Sequence, residues 1–384
     1  MSEIPQPQPI SVLLAGGGTA GHVNPLLAVA DELRAQYPDA VIRVLGTREG
    51  LEATLVPERG YDLDFVPRVP MPRRPSAAWL ALPGKLRLAV HTARDVMIKH
   101  RVDVVVGFGG YVSTPAYLAA RKLGIPVVIQ EQNARAGLAN KLGARWASAV
   151  STTFAQTSLK NAVRTGMPLR SEISTLSHGL ETDRAGLHDR GAAALGLDPT
   201  RKILLVTGGS LGALSVNNAV AGAAAQILAQ DIQILHLTGR GKSEPVLAAR
   251  AALDAELGAS YHVREYLAEM DWAYAACDLV VCRSGAGTVC ELAALGVPAI
   301  FVPLPIGNGE QRLNAHDMAQ AHGAVMIDDA DLTAQWLAGE VVTLLGDPDR
   351  LAQMRAGARS VGEPDATKKV VDLVKNAAGW STLV

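Results

Sequence analysis

His22 stands directly after a glycine-rich turn, Gly16-Gly17-Gly18-Thr19-Ala20-Gly21, where the apolar run Ile10 to Ala15 gives way to a helical pattern. An imidazole at a helix start beside phosphate has two uses. Neutral, it accepts a proton from an attacking hydroxyl; protonated, it steadies a diphosphate. Glu131 is a second candidate base, and the residue types alone do not rank the two. Thr19 and Tyr111 offer hydroxyls for contacts to the same ligand. A second turn, Gly208-Gly209-Ser210-Leu211-Gly212-Ala213, follows the apolar run Ile203 to Thr207, and a third cluster, Gly107 to Tyr111, follows Val102 to Val106. Glycine lets the backbone turn tightly, and the N–H groups that open the next helix attract an anion. Three such turns at strand ends point to a cleft that handles a diphosphate.

Holding those turns in place requires strands that alternate with helices. Candidate strands lie at Ser11 to Ala15, Val41 to Leu45, Val102 to Gly107, Pro126 to Gln130 and Ala149 to Thr152, each followed by helical spacing. A second set follows a loop-rich stretch near Gly166-Met167-Pro168: Ile203 to Thr207, Ile232 to Leu237, Tyr261 to Arg264, Leu279 to Cys282 and Ala299 to Val302. Continuous apolar strands separated by helices imply parallel sheets covered on both faces. Residues Ser174 to Asp198 read as the first helices of the second half, and Asp365 to Ala377 as a last helix. The expected fold is α/β, two Rossmann-like domains of a 384-residue chain with 48% apolar content.

Lys and Arg number 36 against 37 Asp and Glu, so the net charge of −1 gives no global attraction to nucleic acid, and none is expected as a partner. Cys277, Cys282 and Cys290 are odd in number and lack CxxC spacing, which argues for a reduced chain and against a zinc site. The start, Met1-Ser2-Glu3 and a Pro/Gln stretch, carries no secretory signal and reads as a short disordered tail. Gly, charge or Pro interrupts every apolar stretch before bilayer-spanning length, so a soluble or peripheral protein is expected.

Gly16, Gly18 and Gly21 satisfy G-x-G-x-x-G, which raises a nicotinamide dinucleotide as ligand. That fingerprint also needs a carboxylate about 20 positions on, at the end of the second strand. Here the strand ends Leu45-Gly46-Thr47-Arg48 and the nearest carboxylate, Glu49, comes too late. Asp62-Leu63-Asp64 formally matches the D-x-D of metal-dependent sugar transferases, but its alternating Tyr61 to Val66 surroundings read as a short strand with both carboxylates on one face.

Taken in order and spacing, the first glycine turn, Gly107 to Tyr111, Glu131-Gln132-Asn133, the second glycine turn, Arg283-Ser284-Gly285-Ala286-Gly287-Thr288, Glu291 and Gly309-Glu310-Gln311-Arg312-Leu313-Asn314-Ala315 resemble the MurG family over nearly the whole chain. The resemblance implies a UDP-GlcNAc-dependent N-acetylglucosaminyltransferase of the two-domain glycosyltransferase B fold. Such an enzyme adds GlcNAc to undecaprenyl-pyrophosphoryl-MurNAc-pentapeptide, turning lipid I into lipid II in peptidoglycan synthesis. It implies an acceptor domain at 1–169, completed by the C-terminal segment 363–384, and a donor domain at 170–362, with no metal and no cofactor. Departures are Ala20 for Gly, Gln130 for His, Met167 for Asn, Leu211 for Gln and Glu310 for Gln; none removes a residue given a leading role.

Donor contacts follow from the residues matched. Ala286, Gly287, Thr288, Val289 and Cys290 open a helix whose N–H groups suit the donor diphosphate, with Ser210 adding a hydroxyl. Glu291, one turn in, is placed to accept both ribose hydroxyls, and the backbone of Leu267 matches the family position that reads the uracil edge. Gln311 and Asn314 carry amides suited to sugar hydroxyls and are expected in a loop that Pro303, Pro305, Gly307 and Gly309 stiffen. The resemblance places Asn133 in the donor site too, and Arg170 matches an Arg that meets donor or diphosphate charge. Thr19, Ala20, Gly21 and Tyr111 are left for the acceptor.

A lipid acceptor requires access to a membrane. Arg68, Arg73, Arg74, Lys85, Arg87, Arg94 and Lys99 face a single acid, Asp95, with Trp79, Leu80, Leu82, Leu86 and Leu88 interleaved. That composition suits an anionic membrane surface and a peripheral position on its cytoplasmic face. Other cell-wall synthesis proteins are the remaining class of partner. A UDP-GlcNAc 2-epimerase and a non-catalytic nucleotide-sugar-binding protein stay open as alternatives.

Overall fold

Alternation of apolar strands and helices resolves into two parallel sheets in a computed structural model, which describes residues 10–69, 78–209, 211–306 and 308–380. The chain divides into two units, Met1–Ser171 with Asp365–Val384, and Glu172–Pro364.

In the first unit the strands are β1 (Ser11–Gly16), β2 (Val41–Gly46), β3 (Asp62–Phe65), β4 (Val104–Gly109), β5 (Val127–Glu131), β6 (Ala149–Thr152) and β7 (Ala162–Arg164). Their helices are α1 (Ala20–Gln36), α2 (Glu52–Glu58), α3 (Ala78–Lys99), α4 (Ser113–Leu123) and α5 (Leu138–Gly143). The sheet runs β3-β2-β1-β4-β5-β6-β7, so its order reverses between β1 and β4, the switch point where open α/β sheets bind ligands. Val12 and Leu14 of β1 enter one core and Leu13 and Ala15 the other, which is why the strand is apolar without interruption.

The second unit opens with α6 (Ser171–Thr182) and α7 (Arg184–Leu195). β8 (Lys202–Thr207), α8 (Leu214–Leu228), β9 (Ile232–Leu237), α9 (Glu244–Ala251), α10 (Ala255–Ala259), β10 (Tyr261–Arg264), α11 (Met270–Ala276) and β11 (Leu279–Cys282) follow. Then come α12 (Ala286–Leu295), β12 (Ala299–Phe301), α13 (Glu310–Gln320), β13 (Ala324–Met326), α14 (Ala334–Leu345) and α15 (Pro348–Val361). Its sheet, β10-β9-β8-β11-β12-β13, repeats the strand order of the first. The last helix, α16 (Ala366–Ala378), lies in the first unit, where Val370, Val371 and Val374, with Trp380 beyond it, join the core around Val12 and Leu14.

Three readings of the sequence need correction. Gly107, Phe108 and Gly109 are not a turn but the end of β4, and the turn begins at Gly110. Gly107 is glycine for packing, since a Cβ there would lie 2.0 Å from the Tyr117 hydroxyl of α4. β7 and β13 were not expected. Gln311 and Asn314 sit on α13 rather than in a loop. Asp62 and Asp64 share one face of β3, and both pair with Arg43 of β2. Cys277 and Cys282 are buried free thiols, and Cys290 is partly buried. Among the described residues no helix is long and apolar enough to cross a membrane.

Candidate active site

In the first unit the chemistry gathers where β1, β4 and β5 end. Thr19 is the N-cap of α1 in extended backbone, with Ala20, Gly21 and His22 in the first helical turn. The Thr19 hydroxyl and His22 Nδ1 share a hydrogen bond of 2.9 Å. The ring edge of His22 packs against Gly109, whose positive φ of 88° and lack of a Cβ allow the approach; a Cβ there would lie 3.3 Å from Nε2. A Cβ on Gly110 would lie 2.6 Å from the Gly17 carbonyl oxygen, so the first and third glycine segments pack closely together. Burial pulls the His22 imidazole below its ordinary 6.5, against an opposing pull from Glu52. It is therefore neutral at pH 7.

Glu131 ends β5 and is buried. Its carboxylate accepts the backbone N–H of Asn133 at 3.0 Å and of Gly137 at 2.9 Å, and the Asn140 amide at 2.9 Å. Tyr117 donates to the other side of that amide at 2.8 Å. Burial moves the Glu131 carboxyl above its ordinary value, and the N–H donors offset only part of that rise. Asn133 also accepts from Thr157 through its carbonyl, at 3.1 Å. Tyr111 lies beyond the glycine pair, with the Arg68 guanidinium 5.2 Å over its ring. Arg170 is partly buried just ahead of α6.

A residue that the sequence reading missed sits at the centre of this region. Glu52, first in α2 and fully buried, accepts the Gly18 N–H at 2.7 Å and the Thr47 N–H and hydroxyl at 2.9 Å each. With Gly17, Gly18, Thr47, Arg68 and Tyr111 it lines a small cavity beside the first glycine turn. The only available signal was its place shortly after the second strand, where the dinucleotide fingerprint wants an acid.

In the second unit, Gly285 caps α12, and Ala286, Gly287, Thr288, Val289, Cys290 and Glu291 form its first turns, after β11. The first N–H groups of a helix have no partner within it, so this end offers donors to an anion. Glu291 accepts from the Tyr274 hydroxyl at 2.9 Å. Ser284, just before the cap, is fully buried, and its carbonyl accepts the Asn314 amide at 3.4 Å. Gln311 spends its carbonyl oxygen on the Leu304 N–H at 3.0 Å. The Leu267 side chain is buried, as suits a residue read through its backbone. Ser210 lies outside the described residues. Arg283 pairs with Asp329 and donates to Ser215, tying β11 to α8.

Two family models match the chain: the glycosyltransferase family 28 N-terminal domain over residues 12–152 and the family 28 C-terminal domain over residues 203–375. The UDP-N-acetylglucosamine--N-acetylmuramyl-(pentapeptide) pyrophosphoryl-undecaprenol N-acetylglucosamine transferase of Bifidobacterium adolescentis is 49% identical, over 96% of this chain and 98% of its own. The enzyme of that name from Paenarthrobacter aurescens is 50% identical, over 96% and 97%. The crystal structure of MurG from Acinetobacter baumannii superposes with a TM-score of 0.75 at 32% identity, covering 96% of this chain and all of that one. A UDP-GlcNAc 2-epimerase from Neisseria meningitidis shares the fold alone, at 14% identity and a TM-score of 0.66 over 96% of this chain and 100% of that one.

Proposed function

The chain belongs to the MurG family within glycosyltransferase family 28, and from that membership we propose that it transfers GlcNAc from UDP-GlcNAc to undecaprenyl-pyrophosphoryl-MurNAc-pentapeptide, the lipid I to lipid II step of peptidoglycan synthesis. The transfer inverts the anomeric centre: the C4 hydroxyl of MurNAc forms a bond to C1 of GlcNAc as the bond from C1 to the UDP oxygen breaks. An oxocarbenium-like transition state then asks for a base at the acceptor hydroxyl and stabilised charge on the leaving diphosphate.

The observation that carries this chemistry is the neutral imidazole of His22 at the start of α1. In the tautomer whose Nδ1–H donates to the Thr19 hydroxyl, the Nε2 lone pair takes the acceptor proton. Glu131 is the weaker candidate, because three N–H donors already occupy its oxygens; its part is to hold the segment from Asn133 to Asn140. Thr19, Ala20, Gly21 and Tyr111 receive the acceptor. On the donor side, the N–H groups opening α12 meet the diphosphate, joined by Ser210 and Arg170. Glu291, held by Tyr274, takes the ribose, the Leu267 backbone takes the uracil, and Asn133, Gln311 and Asn314 take sugar hydroxyls.

The membrane-facing surface is assigned to the first half of α3. There Lys85, Arg87 and Leu88 are exposed, while Ala89, Val90, Ala93 and Met97 anchor the second half in the core. Arg73 and Arg74 lie outside the described residues. On this reading the chain sits peripherally on an anionic cytoplasmic membrane face, where other cell-wall synthesis proteins are candidate partners.

The test is UDP release from UDP-GlcNAc with and without a lipid I analogue, in detergent, with and without EDTA. Acceptor-dependent release that survives EDTA is expected. Release without acceptor would overturn the reading in favour of hydrolysis or epimerisation, and tight donor binding without any release would leave a sensor.

A further inference from the structure

Glu52 is a buried carboxylate with no role in the chemistry above. Both oxygens act as acceptors, Oε1 for the Thr47 N–H and hydroxyl and Oε2 for the Gly18 N–H, which is the pattern of an ionised group. Among the described residues no cation pairs with it. A buried charge held only by neutral donors is costly to keep, and a neutral side chain would close the same gap at less cost. The glycines around it exist to admit it: a Cβ on Gly17 would lie 2.4 Å from its Oε1, and one on Gly50 would lie 2.0 Å from its Oε2. Gly18 takes a positive φ of 91° and turns its N–H to the carboxylate. That N–H belongs to the first glycine turn, the very element expected to cradle a phosphate.

We propose that Glu52 is a positioning residue: a resident anion that fills the 16–18 turn, so that an anionic acceptor is received at the start of α1, beside His22, and not in the turn itself. The inference rests on the reading of His22 as the base. Ala20 and Gly21, in the first turn of α1, have N–H groups without partners inside the helix, and these lie within three residues of His22. A diphosphate seated one turn earlier, on Gly18, would hold the reacting sugar out of register with Nε2. Glu52 prevents this by occupying the donor and by placing negative charge there. The same charge acts on His22, opposing the burial that lowers its imidazole.

The experiment is steady-state kinetics of Glu52→Gln with a short-chain lipid I analogue, and inhibition by inorganic pyrophosphate measured against the acceptor at saturating UDP-GlcNAc. A neutral amide at this position keeps the bulk of the side chain, removes the resident charge from the turn and satisfies fewer of its donors. The expected result is a kcat lower by about tenfold or more, a donor KM within about twofold of wild type, and a pyrophosphate inhibition constant lower by about fivefold as the charge that repels anions from the turn is lost. A purely structural role would weaken all binding and would not tighten pyrophosphate. Unchanged or weaker pyrophosphate inhibition, or an unchanged kcat, overturns the proposal. Should Glu52→Gln fail to fold, Thr47→Val, which deletes a single donor to the carboxylate, decides by a smaller shift in the same direction or by none. His22→Ala run in parallel separates the two readings. Full activity there removes the base assignment, while the pyrophosphate constant still reports whether the turn is occupied.

Discussion

A neutral imidazole makes proton activity the first handle on this chain. His22 must lose its proton to serve as base, and burial has lowered its pKa below 6.5. The acid limb of kcat/KM is therefore expected below pH 6.5, with full activity above it, and His22→Ala is expected to lower kcat by about 10²-fold or more across the range. Glu131→Gln presents an N–H to groups that are themselves donors, at a cost of about 1–3 kcal/mol, so its main signature should be a lower melting temperature. Wild-type melting with a 10²-fold loss of kcat would return Glu131 to the base. His22 stood out in sequence because it directly follows the first glycine turn, and its Thr19 partner lies three positions away. Glu52 did not, because it reaches its Gly18 partner across 34 positions and no local pattern records that closure.

Elements tell a similar story about what sequence encodes. β6, β9, β10 and β11 begin and end at the expected residues, and β11, buried along its whole length, is an unbroken apolar run. β7, at a sheet edge with two of its three residues exposed, leaves no such mark. Gly107 to Gly109 misled for a different reason: glycine marks a turn and also a tight helix-strand contact, and spacing does not separate the two. Between α11 and α12, Tyr274→Phe should remove one hydrogen bond from the Glu291 carboxylate and raise the UDP-GlcNAc KM by about 2- to 10-fold with little change in kcat, measured by initial rates. Beneath the second glycine turn, His236 of β9 is fully buried between the Tyr261 hydroxyl at 2.9 Å and Asn217 at 3.1 Å, and Asn217 in turn donates to the Thr238 carbonyl at 3.0 Å. Burial pushes this imidazole down to about 3 from 6.5. The folded state then binds fewer protons than the unfolded chain, so the stability is complete above pH 6.5 and drains as pH falls toward 3. Melting temperatures of His236→Gln should lose much of that acid slope; an unaltered slope would assign it to other groups.

For the whole molecule, the first unit is incomplete until α16 arrives. Val370, Val371, Val374 and Trp380 are all buried in the core around β1, each contributing about 1.5–3 kcal/mol, a sum comparable with the stability of an entire domain. A chain ending at Pro364 should therefore lose the cooperative melt of the first unit while the second keeps its own, resolved as separate transitions by calorimetry. Within the first unit Thr367 donates to the Leu169 carbonyl at 2.9 Å and accepts its N–H at 3.0 Å, and within the second Ser174 donates to the Pro364 carbonyl at 3.0 Å. That the tail helix would pack on the first half was expected only from the family resemblance, since an amphipathic helix does not name the surface it covers.

The discontinuous first unit also sets an order in time. Chains emerge from the ribosome at about 5–20 residues per second, N-terminus first. The segment from Glu172 to Pro364 has its whole core in hand once it is out, whereas the segment that began first must wait for the last helix to be made. The half written second is thus the half that can finish folding first, and the nascent chain carries a partly uncovered core around β1 until α16 emerges.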